Sequence, residues 1–210
     1  MLEEVRARAQ TYFDADIAPA HDWYHVERVA ALATTLAEEY EVDETVLFAA
    51  TWLHDIGRAR EDRGEIEDHA EWGAREAGEI LADGLGARAE TVGAVQHCIR
   101  AHRFSNDVEP RTREAELLSD ADNLDALGAV GIARCFAYGG ELGQTLHDPD
   151  LPPEADDSTA GATQFNHFHK KILRLPDRMY TEAGRELAEE RRAFVVEFLD
   201  RFEREVGGEV

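Results

Sequence analysis

His54 and Asp55 stand side by side at the end of the apolar run "VLFAATWLHDI", a histidine and an ionisable acid where a buried helix would otherwise close. A carboxylate buried there alone would cost several kcal/mol or neutralise itself, so the pair needs a compensating partner. Upstream, "HDWYHVERV" sets His21 and His25 four residues apart, on one face of a helix. Downstream, "LLSDADNLDALG" sets Asp120, Asp122 and Asp125 at the start of a further helix. Between them come His69, His97 and His102, so six of the nine histidines fall between positions 21 and 102, all beside apolar helical segments. A lone histidine in that setting is ordinarily a satisfied core residue. An adjacent His–Asp pair, with a helical histidine before it and an aspartate cluster after it, points to chemistry.

A divalent metal ion would resolve the buried charge. Neutral imidazole nitrogens with carboxylate oxygens suit Mn, Mg, Co, Ni or Fe, and the lack of thiolate ligands argues against a structural zinc site. Four such ligands leave one or two positions of an octahedral ion open for water. The ion lowers that water's pKa and polarises a phosphoryl oxygen beside it, so the expected chemistry is hydrolytic.

The elements that must carry these residues are helices. Apolar residues recur at three- and four-residue intervals in "VERVAALATTLAEEY", "AEWGAREAGEILA", "AETVGAVQHCI" and "GRELAEERRAFVVEFLDRF". Period-two strands joined by hairpin turns are absent from the pattern. The periodicity predicts helices near 3–14, 21–40, 43–56, 67–82, 88–103, 111–126, 128–137, 160–174 and 180–205, with starts at Asp43–Glu44 and Asp157–Ser158. The Gly-, Pro- and Asp-rich stretch 138–161 reads as the longest loop, either a lid or an acidic connection, and its length favours disorder. One all-α domain is expected.

Composition narrows the function. At 210 residues the chain can bury an adequate core without staples. Cys98 and Cys135 form no CxxC pair and fit a reduced, cytoplasmic protein. The start "MLEEVRARAQ" does not read as a signal peptide, and no apolar run reaches the roughly 18 residues a membrane span needs. A net charge of −23, from 22 basic and 45 acidic residues, excludes a duplex nucleic-acid partner held by a basic surface. Lys170 and Lys171 are the only lysines, and such an acidic, lysine-poor surface resembles halophilic proteins. "DADNLDALGAVG" lacks the glycine and the final glutamate of a calcium loop, and HExxH, GxxxxGK[ST] and GxSxG are missing.

The ordered set "H…HD…D" resembles the HD-domain superfamily of metal-dependent phosphohydrolases. "HVERV" is similar to the family's first-histidine helix, which selects His25 over His21. "HDIGR" matches the paired ligands and the glycine after them, and "HAEWGAREAGEIL" resembles the HxxxG helix of the two-metal branch. "ADNLDAL" resembles the segment of the last aspartate, which selects Asp122 over Asp120 and Asp125. The tail "HFHKKILRLPDRMYTEAGRELAEERRAFVVEFLDRF" is similar to a subgroup of small HD hydrolases, some of which split nucleoside triphosphates to monophosphate and pyrophosphate.

The resemblance implies a compact multi-helix HD-domain bundle, one domain over 1–210 with a core at about 20–137 and a C-terminal helical part at about 158–206. It implies His25, His54, Asp55 and Asp122 as ligands of one divalent ion, with a second ion left open and Asp55 also orienting the attacking water. His69 and His102 would join Asp55 in catalysis. His97, Lys171, Arg58 and Arg103 would bind the phosphorylated small molecule, a nucleotide. Asp120 and Asp125 would stabilise a helix start. Two other functions compete. A non-catalytic nucleotide-binding regulatory module would bind tightly without turnover; a di-iron HD-fold oxygenase would hold two irons and consume oxygen.

Overall fold

Helix α3 (Glu44–Leu53) is apolar on nearly every side, and Val46, Leu47, Ala49, Ala50, Thr51 and Leu53 are all buried. A helix of that kind is stable only when neighbours surround it. A computed structural model describes residues 1–13, 19–103 and 108–209 of the chain. In it α3 is flanked by α1 (Leu2–Gln10), α2 (Trp23–Ala37), α5 (His69–Glu79) and α6 (Ala89–His102). Asp43 starts α3 as expected, its Oδ1 accepting from Thr45 N at 2.9 Å and Val46 N at 3.2 Å. Asp22 caps α2 and Asp68 caps α5 in the same way. The described residues are all-α, with no strand.

By its internal contacts the chain divides into two compact units, Met1–Asp122 and Asn123–Val210. The first holds α1 to α6, the short α4 (Arg58–Asp62) and most of α7 (Arg113–Asp125). The second holds α8 (Gly128–Glu141), α9 (Gln164–Lys170) and α10 (Glu182–Val206). Its centre is aromatic: the Phe136 ring lies 5.5 Å from Phe168, 6.0 Å from Phe198 and 6.2 Å from Phe202.

Several boundaries differ from the periodicity. The helix expected over 3–14 ends at Gln10, and Asp14 lies outside the described residues. The helix expected over 128–137 runs on to Glu141 through "YGGE". The stretch expected to be disordered is a built loop. Its Thr145 and Leu146 carbonyls accept from Gln164 N and Phe165 N at 2.9 and 3.0 Å. Inside it the buried Asp156 carboxylate accepts from Ser158 N, Ala162 N and Asn166 Nδ2 at 2.8–2.9 Å. α9 therefore starts at Thr163, whose hydroxyl accepts from Asn166 N, and not at Asp157–Ser158. The expected 160–174 helix breaks at Lys171 and continues as a 3₁₀ stretch, Ile172–Arg178, that contains Pro176. Asp120 and Asp125 do not sit at a helix start. Both lie in the second half of α7, where Asp125 pairs with Arg134 at 2.9 Å.

Candidate metal centre

The last carbonyls of a helix have no amide partner within it. α3 ends at Leu53, and its Thr51 carbonyl lies 2.7 Å from Nδ1 of His54. α6 ends at His102, and its Ile99 carbonyl lies 2.6 Å from Nδ1 of His102. A carbonyl can only accept, so both rings carry a proton on Nδ1 and turn Nε2 toward the site. His54 is fully buried, and burial, against the pull of Asp55, lowers its pKa to about 4. The ring is neutral at neutral pH, and its buried Nε2 has no hydrogen-bond partner among the described residues.

Asp55 faces four imidazoles. Its Oδ2 is 3.6 Å from His25 Nε2 and 3.8 Å from His54 Nε2. Its Oδ1 is 3.2 Å from His69 Nε2 and 3.6 Å from His102 Nε2. Burial would raise this carboxyl, but His54, His102, His25 and His69 hold it well below the usual range. Asp122 reaches the same place from α7, its Oδ1 3.3 Å from His25 Nε2, and is held low by that ring against the effect of burial. Two groups of ligand atoms result, His25–His54–Asp122 and His54–Asp55–His102, each with its atoms within 4.8 Å of one another.

His69 opens α5, and its Nδ1 lies 2.6 Å from Oε2 of Glu61. Burial alone would lower its pKa, but hydrogen bonds and charge from Asp55 and Glu61 raise it. Glu61 Oε1 accepts from Arg103 Nη1 at 2.7 Å, and Arg58 Nη1 stands 3.6 Å from Glu61 Oε2. Gly57 lets the turn after Asp55 approach this helix start. A Cβ there would come within 2.8 Å of the His69 carbonyl oxygen and 3.1 Å of His69 Cα.

The structure thus gathers His25, His54, Asp55, His69, His102 and Asp122, with Arg58 and Arg103 around Glu61. His97 is turned elsewhere: its Nε2 accepts from Arg111 N at 3.0 Å. Five residues before His102, it points about 140° round α6 at roughly 100° per residue. Lys171 belongs to the second unit, where its charge faces Cys135 and His167. Glu61 is the site residue that sequence reasoning missed. It sits on a five-residue charged helix, "RARED", with no apolar periodicity to mark it. Burial pushes the thiols of Cys98 and Cys135 up to about 12, so neither is a thiolate ligand at neutral pH.

A sequence model of the HD domain matches residues 22–127, a span that begins before His25 and ends beyond Asp122. The uncharacterised protein YpgQ of Bacillus subtilis is 34% identical over 210 residues, covering 98% of this chain and 94% of its own. The crystal structure of YpgQ in complex with ADP superposes with a TM-score of 0.76 at 30% identity, over 100% of both chains. An HD-superfamily hydrolase of Bacillus thuringiensis superposes at 0.75 with 33% identity, over 98% of this chain and 96% of that one. The 3'-5' exoribonuclease YhaM of Halalkalibacterium halodurans is 34% identical over 118 residues, 49% of this chain and 37% of its own. With the family model matched across half its length and YpgQ aligned nearly end to end, the chain belongs to the HD-domain family.

Proposed function

We propose that the protein is a metal-dependent phosphohydrolase that cleaves a phosphoester or phosphoanhydride bond, with a nucleotide as substrate. The observation that carries this reading is the bare, buried Nε2 of His54 beside two carboxylates held in the ionised form. A neutral nitrogen with no hydrogen-bond partner among the described residues, set among anionic oxygens, suits a divalent cation. His25, His54, Asp55 and Asp122 would hold it. Such an ion acidifies water and draws charge from a phosphoryl oxygen. Asp55, ionised and central, orients the attacking water. His69 and His102 accept or return a proton at Nε2, where both rings face Asp55. Arg103 and Arg58, on the His69 side of the site, supply cations for phosphate oxygens. Asp55 turns Oδ2 toward His25 and His54 and Oδ1 toward His69 and His102, so a second ion on the His69–His102 side would find a carboxylate oxygen there.

Nucleotide chemistry is supported by two relatives: YpgQ crystallises with ADP, and YhaM is an exoribonuclease. The direct test is a screen of nucleotides in Mn, Mg, Co or Ni that measures both phosphate and pyrophosphate. Metal-stimulated release that Asp55→Ala abolishes in a still-folded chain is the expected result. Tight nucleotide binding without turnover in every metal would contradict it.

A further inference from the structure

Glu61 has no role in the proposed function, yet three side chains of the site, His69, Arg103 and Arg58, meet on it. Three rings present Nε2 to Asp55 with Nδ1 already engaged: His54 by Thr51 O, His102 by Ile99 O and His69 by Glu61. For His54 and His102 the acceptor is the carbonyl three residues back on the same helix. His69 cannot use that device, because it is the first residue of α5 and the residue three before it, Ile66, precedes the helix. A carboxylate from α4 replaces the missing carbonyl. Glu61 is itself held, on one oxygen by Arg103 at 2.7 Å, and α4 follows directly on Gly57.

A neutral His69 has one ring proton and two carboxylates that could take it. Glu61 lies 2.6 Å from Nδ1 and Asp55 lies 3.2 Å from Nε2, so the shorter contact keeps the proton on Nδ1. We infer that Glu61 is a positioning residue, which fixes His69 in the Nδ1–H form and so keeps its Nε2 lone pair turned toward Asp55 and His102. Without Glu61 the proton passes to Nε2 and on to a hydrogen bond with Asp55. That removes the lone pair from the site and occupies the Asp55 oxygen facing it. The catalytic consequence rests on the phosphohydrolase reading; the ring geometry does not.

The test uses the full chain, metal-free, with ¹⁵N ring signals of its histidines recorded at alkaline pH where the rings are neutral. Wild type is expected to show His69 protonated on Nδ1, and Glu61→Ala to show it protonated on Nε2, with the His97 signal unchanged as the check on folding. Glu61→Gln, whose amide oxygen still accepts from Nδ1, is expected to keep the wild-type pattern. In the magnesium-loaded enzyme, Glu61→Ala should lose about 10- to 100-fold in kcat, as removal of a carboxylate behind a histidine typically costs, and Glu61→Gln much less. An unchanged His69 signal in folded Glu61→Ala overturns the inference, as do equal losses in the two variants. If the wild type hydrolyses no phosphorylated compound, the function reading fails, while the ring comparison still decides the role of Glu61.

Discussion

His54 is kept uncharged by burial, and that fixes the sign of its contribution to stability. Its pKa falls from the ordinary 6.5 to about 4 in the folded chain, so between those values the unfolded chain binds the proton and the folded chain does not. The stability that the neutral ring contributes is whole above pH 6.5 and is lost as the pH drops toward 4, to a total of about 3 kcal/mol. His69 acts on the other side. Its raised pKa gives stability that is complete below 6.5 and disappears as the pH climbs through its folded value. Denaturant titrations of the metal-free chain should therefore fall less steeply from pH 6.5 to 4 in His54→Asn than in wild type. Equal slopes would mean that His54 is not buried as a neutral ring. At this scale residue type and order marked the His54–Asp55 pair with a histidine before it and an aspartate cluster after it, and the family resemblance picked His25 and Asp122, which the structure brings close to that pair. Type alone does not set His97 apart from His102; their angle around α6 does. It also concealed Glu61, which reads as one more charge on a solvated turn.

The elements meet the site at two glycines with different demands. At Gly57 an added methyl would press on the backbone of His69, with the carbonyl oxygen at 2.8 Å. At Gly73 the nearest atoms, His54 O and Ile56 Cγ1, lie at 3.6 and 3.7 Å, an ordinary contact distance. Gly57→Ala should therefore move the start of α5, costing about 1–3 kcal/mol and most of the hydrolytic activity. Gly73→Ala should fold at wild-type stability or slightly above it, since alanine favours the helix by up to about 1 kcal/mol. Thermal melts and rates of the two variants side by side check this, and equal damage at both positions would refute it. The helices themselves were largely readable, because α2, α5 and α10 carry an apolar stripe on an otherwise polar surface. Boundaries were less so. α8 runs through two glycines that look like loop residues, and α4 has no apolar face at all. The 142–163 loop is ordered by backbone bonds and by Asp156, and such bonds leave no periodic trace in a sequence.

Across the whole molecule the charge of −23 opposes any phosphorylated substrate. On the proposed function Asp55 and Asp122 would add to that repulsion at the site, and a cation on the two carboxylates would serve approach as well as chemistry. No helix among the described residues is long and apolar enough to cross a membrane. The division at Asp122 leaves all six gathered histidines and aspartates within the first unit, so the candidate metal centre is built from that unit alone. The most direct measurement is a calorimetric titration of manganese into the metal-free chain. Saturable uptake that disappears in His54→Ala and in Asp122→Ala, and persists in His97→Ala, is the predicted result. Uptake by His54→Ala equal to that of the wild type, or its loss in His97→Ala alone, would contradict the account.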